Sequence, residues 1–152
     1  MSLGSTPVGA VVNASVAVKW VVAEDGAEAA ARLLDGRPLL APELLLPECA
    51  NILGKKAARG ELSHEEAALA GDLLARTDAE LVGHRALMGA ALGLVLDLGH
   101  PAYGCAYLAL AIERGLPLVT ADRRLVRAVR EDGHHARYVL PLKEVDAPQE
   151  RP

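Results

Sequence analysis

With 152 residues, the chain has room for one domain that buries about two thirds of its extended-form surface. Hydrophobic residues make up 51% but aromatics only 3%, with no Phe, so the core must be built from Leu, Val and Ala. The net charge of -4 argues against broad salt-driven binding of nucleic acid over the whole surface, and no apolar run reaches the roughly 18 residues of a membrane span.

Val8 to Val12 is a continuous apolar run ending at Asn13, the pattern of a strand buried on both faces. Ala14-Ser15 then opens a short helix through Val16, Val18, Trp20 and Val21, with Ser15 as its expected cap. The alternative role for Ser15, at a strand-to-helix junction, is to face a phosphate or a metal-bound water. Gly26 to Leu34 reads as a second helix and Leu39 to Ala41 as a brief strand. A longer helix follows from Glu43, or from near Pro47, to Arg59, with Leu46, Cys49, Ala50, Leu53 and Ala57 on its buried stripe. Glu48 then falls near its first turn among apolar neighbours. Ser63 and Glu66 have the spacing of a capping box that opens a helix to about Arg76.

Leu81-Val82 is a short strand candidate, and Arg85 to Leu98 repeats apolar residues at helical spacing. Pro101 separates it from a buried helix, Tyr103 to Glu113, which Gly115 stops. The apolar strand Pro117 to Thr120 delivers Asp122 to the sheet edge, where open α/β sheets place their ligands. A helix carrying Leu125, Val126 and Val129 runs to Gly133, and Tyr138 to Leu140 is a last strand. Residues 146–152 read as a flexible tail behind a single domain, 1–145. Strands alternating with helices predict an α/β sandwich with a parallel sheet. Cys49 and Cys105 sit in helices among apolar neighbours and read as structural thiols. The N-terminus lacks the basic and apolar regions of a secretory leader, which points to the cytoplasm.

Three stretches, VVNASVAVKWVV (11–22), APELLLPECANILGKKAARGELS (41–63) and HPAYGCAYLALAIERGLPLVTADRRL (100–125), together resemble the PIN domain, and within it the VapC-type toxins. The resemblance implies a three-layer α/β/α sandwich with a short parallel sheet. It also implies a Mg²⁺- or Mn²⁺-dependent endoribonuclease of single-stranded RNA, forming a homodimer and neutralised by a small antitoxin. Its catalytic and metal site is an acidic cluster. Glu48 and Asp122 match two positions of that cluster, whereas Asn13 and Gly104 stand where the pattern has Asp. The resemblance therefore leaves two outcomes: a nuclease weakened at two ligand positions, or a catalytically inactive relative kept for antitoxin or RNA binding. Loss of two carboxylates weakens a site for hard cations, although Asn13 keeps a carbonyl oxygen.

Around that site, Ser15 and Arg123 are candidate water or substrate contacts. Asp97 is expected to be a solvated helix residue and His100 a turn residue, each with compensation for Gly104 as the alternative. Lys19, Lys55, Lys56 and Arg59 read as a solvated face or a basic rim. Trp20, Tyr103 and Tyr107 are expected in the core or in a dimer contact.

Overall fold

The computed structural model describes residues 7–145. The flexible-tail expectation for 146–152 falls outside them. Five short strands form one parallel sheet: β1 (Ala10–Val12), β2 (Leu39–Pro42), β3 (Glu80–Val82), β4 (Leu118–Thr120) and β5 (Val139–Pro141), in the order β3-β2-β1-β4-β5. Seven helices connect them: α1 (Ala14–Ala17), α2 (Ala27–Ala31), α3 (Leu45–Ala58), α4 (His64–Ala75), α5 (Met88–Leu98), α6 (Ala102–Arg114) and α7 (Arg123–Asp132). Short 3-10 turns extend α1 and precede α5. No single helix among the described residues is long and apolar enough to cross a membrane.

β1 is buried throughout because it feeds two cores at once. Side chains alternate along a strand, so Val11 joins the larger cluster with α3 to α7, while Ala10 and Val12 join the smaller one with α2 and Leu142. The aliphatic composition suits this arrangement, since close helix–sheet packing needs small and branched side chains. Cys49 and Cys105 are buried within it, and burial pushes their thiols up to about 12 and about 11.

The order in which strands are added to the sheet reverses at β1. The connections β1 to β2 and β2 to β3 run one way, and β4 pairs with β1 on the other side. The carboxyl ends of β1 and β4 thus flank the point where the strand order reverses, which in open α/β sheets is a crevice.

Several boundaries differ from the sequence reading. β1 begins at Ala10 rather than Val8, and the last strand starts at Val139 rather than Tyr138. α2 ends at Ala31. α3 begins at Leu45, which leaves Pro47 in the first turn, where its missing N–H costs no hydrogen bond. The Ser63 capping box is formed on both sides: Ser63 Oγ accepts from the Glu66 backbone N–H at 3.0 Å, and the Glu66 carboxylate accepts from the Ser63 N–H at 2.8 Å. Ser63→Ala removes one half of that box, an expected loss of about 1 kcal/mol, seen as a Tm lower by about 2–4 °C. A thermal melt of the single variant checks it.

Candidate functional site at the strand ends

Asn13 follows β1 directly and is only 7% exposed, so its amide must find partners inside the protein. It finds two. Asn13 Nδ2 donates to Thr120 Oγ1 at the end of β4, at 2.5 Å, and Asn13 Oδ1 accepts from Ser15 Oγ at 2.5 Å. Ser15 Oγ in turn accepts from the Ala121 N–H at 3.1 Å, and Thr120 Oγ1 accepts from the Asp122 N–H at 3.0 Å. This closed set of bonds ties the β1 exit to the β4 exit. Ser15 is not the helix cap expected from sequence; Asn13 holds that position and no side chain bonds there, because the Asn13 amide is committed to the two hydroxyls.

Asp122 is the N-cap of α7. Its Oδ1 accepts from the N–H groups of Arg124 and Leu125, at 3.0 and 3.2 Å. Glu48 lies one turn into α3, and its Oε1 accepts from Tyr107 Oη on α6 at 2.6 Å. Burial pushes the Glu48 carboxyl up and the negative Asp122 adds to it, while the Tyr107 donor and His84 pull the other way. The Tyr107 hydroxyl is itself pushed far up by burial and by the Glu48 charge.

Asn13, Glu48, Gly104 and Asp122 all line one cavity of about 500 Å³, together with Ser15 and Arg124. His100 lines it too, contrary to the expectation of a mere turn residue. A Cβ built on Gly104 would stand 2.7 Å from His100 Nε2 and 2.9 Å from Cδ2, so the imidazole fills the hollow that a side chain at 104 would need. Asp97 is exposed and absent from the cavity lining, as a solvated helix residue should be.

Other expectations need correction. Arg123 does not line this cavity; Arg124 does. Tyr107 is core-buried as expected, but its hydroxyl serves the site, while Tyr103 is 67% exposed. The solvated face expected of Lys19, Lys55, Lys56 and Arg59 holds for Lys55 and Arg59, which are exposed, but not for Lys56, which is buried and pairs with Glu24, a carboxylate that Lys19 also meets at 3.2 Å. Burial works against the Glu24 charge, yet the two lysines hold its carboxyl below the ordinary range. Sequence reasoning also passed over Thr120, although a hydroxyl two residues before Asp122 at a strand end is suited to bond the next loop. Tyr107, three residues after Gly104, shares its helix face, as the i to i+3 spacing of a helix places it.

A family model described as PIN domain matches residues 10–131. The chain belongs to the PIN domain family. Among solved structures, PAE2754 from Pyrobaculum aerophilum is similar with a TM-score of 0.67 and 19% identity, over 91% of this chain and 92% of that one. That likeness bears on the fold alone. A comparison with curated proteins gave no match.

PIN domains generally use divalent metals, and the donor set of this PIN domain is short of charge for one. Two expected carboxylates are an amide and a glycine. Asn13 presents its oxygen to Ser15, Asp122 Oδ1 is held by two backbone N–H groups, and Glu48 Oε1 by Tyr107. Among the described residues, no group of three or more His, Cys, Asp or Glu is placed to hold a metal ion.

The raised Glu48 carboxyl has a consequence for stability. Between the ordinary carboxylate range and the raised value the folded chain holds the extra proton, so stability falls as pH rises through that window and stays reduced above it. Glu48→Gln keeps the acceptor for Tyr107 and removes the charge. At pH 7 its Tm should exceed that of the parent by about 1–3 °C, a modest gain because the site is partly solvated. The gap should close near about pH 4, where glutamate protonates in the unfolded chain as well. Melts across that range decide it, and a variant less stable at pH 7 would be inconsistent with a costly buried charge.

Proposed function

We propose that this chain is a VapC-like PIN protein whose nuclease centre is disarmed, and which binds single-stranded RNA and a small antitoxin-type partner without efficient cleavage. The observation that carries the reading is the bonding of the site itself. The amide at position 13 is locked to Thr120 and Ser15, and the His100 ring occupies the space beside Gly104. Both remaining carboxylates are engaged by donors of the protein. Phosphodiester hydrolysis of the family's kind needs concentrated negative charge to hold cations, and here it is halved.

Two surface features support the partners. Met88, Leu92 and Leu96 are exposed at four-residue spacing along α5, an apolar stripe suited to a second copy in a homodimer. Leu69 and Leu73 are exposed on α4 beside a cleft that also includes Val21, Val22 and Lys56, a surface suited to an amphipathic antitoxin segment.

A second reading is a weakly active ribonuclease in which Glu48 and Asp122 alone engage Mg²⁺ or Mn²⁺. It is favoured by their lining of the same cavity. Cleavage of a single-stranded RNA in Mn²⁺ separates the two. The unmodified chain should leave the RNA intact over hours, and the Asn13→Asp, Gly104→Asp double variant should cut it measurably, since Asn13→Asp is nearly isosteric and His100 can turn away from a longer side chain. Adding Asp122→Ala should abolish the gain. Efficient cutting by the unmodified chain, lost on Asp122→Ala, would establish the second reading instead.

A further inference from the structure

The chain has one Trp, three Tyr and no Phe, and the fold engages all of these rings but one. Trp20 donates its indole N–H to the Ala30 carbonyl at 2.9 Å. Tyr107 is buried, and its hydroxyl donates to Glu48. The Tyr138 ring lies under the Arg137 guanidinium, whose Cζ is 4.8 Å from the ring centre. Tyr103 is the exception: it is 67% exposed, and among the described residues no other ring or cation lies within stacking range of it. Exposure alone says little, because single apolar side chains are common on protein surfaces. Position says more. Tyr103 lines the cavity that holds Asn13, Glu48 and Asp122, and as its exposed aromatic residue it stands at the mouth.

We infer that the cavity is a single-nucleotide subsite, in which the Tyr103 ring stacks one unpaired base and Arg124 holds the adjoining phosphate. The inference rests on the RNA-binding reading above and assigns its contacts. Three observations support it. Tyr103 and Tyr107 stand four residues apart on α6 and both line the cavity, the first 67% exposed and the second 2%. The helix thus runs from mouth to floor, with the floor ring fixed by the core and by Glu48 and the mouth ring free to take a ligand. Ile52 of α3 and Pro101 line the same hollow, so a planar base finds apolar surface beyond the one ring. Arg124, in the first turn of α7, also lines it and is exposed, and no carboxylate among the described residues lies within ion-pair range of its guanidinium. An open ring and an unpaired guanidinium in one hollow answer the two parts of a nucleotide, its π-face and its phosphate.

Charge decides where each part goes. Glu48 and Asp122 both line the cavity and repel a phosphate, so the phosphate stays at Arg124 while the uncharged base meets Tyr103. Stacking tolerates sequence because every base has a π-face, and purines, with the larger face, should be favoured modestly. An acidic peptide would engage Arg124 and leave the ring in water. A second copy of the chain would cover the ring and leave the guanidinium without an anion.

The test uses the full chain with EDTA present, so that cleavage plays no part. The probe is a short oligouridine carrying one 2-aminopurine, a base whose fluorescence is quenched when it stacks. The parent should bind the probe and quench it. Tyr103→Ala should bind about tenfold more weakly, the loss expected for one stacked base, and should show no quench at saturation. Its slope of log affinity against log salt should equal the parent's, because stacking releases no counterions. Tyr103→Phe should match the parent in affinity and quench, since the ring and not the hydroxyl makes the contact. Arg124→Ala should keep the quench while its slope shrinks by about 0.7, the share of one phosphate on a single strand. If the parent binds the probe without quenching it, or Tyr103→Ala binds as tightly as the parent, the subsite is overturned while the RNA reading survives. Failure of Tyr103→Phe alongside Tyr103→Ala, or an unchanged slope for Arg124→Ala, overturns it as well. If the parent binds no RNA even at low salt, both readings fall. Sedimentation of the parent and of Tyr103→Ala tests the other occupant: a dimer that dissociates in the variant places the ring against a second copy, and the inference is wrong.

Discussion

The bond from Asn13 Nδ2 to Thr120 Oγ1 joins the two strand exits on which the site is built. Strands β1 and β4 are parallel neighbours whose chains leave in different directions, one into α1 and the other into α7. Their carboxyl ends expose backbone and polar side chains at the same spot, with like partial charges on the last carbonyls. A neutral amide solves this locally. It donates to one exit and accepts from Ser15 near the other, and the two hydroxyls pass the satisfaction on to the N–H groups of Ala121 and Asp122. Each buried polar side-chain atom among the described residues is paired, and no ion is required to complete the set.

Charge makes the difference between this state and the family's acidic cluster. Two like charges about 4 Å apart oppose each other by roughly 4 kcal/mol at an effective dielectric near 20. Glu48 and Asp122 already interact enough for Asp122 to push the Glu48 carboxyl up. A third carboxylate at position 13, buried at the base of the cavity, would add to this repulsion unless a cation offset it. Asparagine preserves shape and one acceptor while removing that dependence. Gly104 removes a second charge, and the His100 ring covers the gap instead of leaving it to water. On the proposed reading, the amide at 13 and the glycine at 104 are one change in electrostatic design, made at two places in the sequence.

Much of the architecture was legible in the residues because local chemistry fixed it. Gly115 at φ 66 ends α6 as a left-handed cap, and the Ser63–Glu66 pair forms both halves of its box. Apolar runs gave the strands, though not their first residues: Val8 is 90% exposed because nothing pairs with it, a fact no hydrophobicity pattern reports. The gathering of Asn13, Glu48, Gly104 and Asp122 around one cavity was readable only through the family resemblance, since they come from four elements. What stayed hidden depends on side-chain rotamers and tertiary packing. His100 turning onto Gly104, Tyr107 reaching Glu48 from inside the core, and Lys56 burying its charge against Glu24 each need coordinates to be seen.

The most direct test of this account is a titration of Mn²⁺ into the unmodified protein, followed by the loss of free-ion electron paramagnetic resonance signal. A site completed by its own amide and hydroxyls should show no saturable binding below about millimolar metal, consistent with carboxylates too few for a hard cation. One Mn²⁺ bound per chain at micromolar concentration, and released on Asp122→Ala, would contradict it.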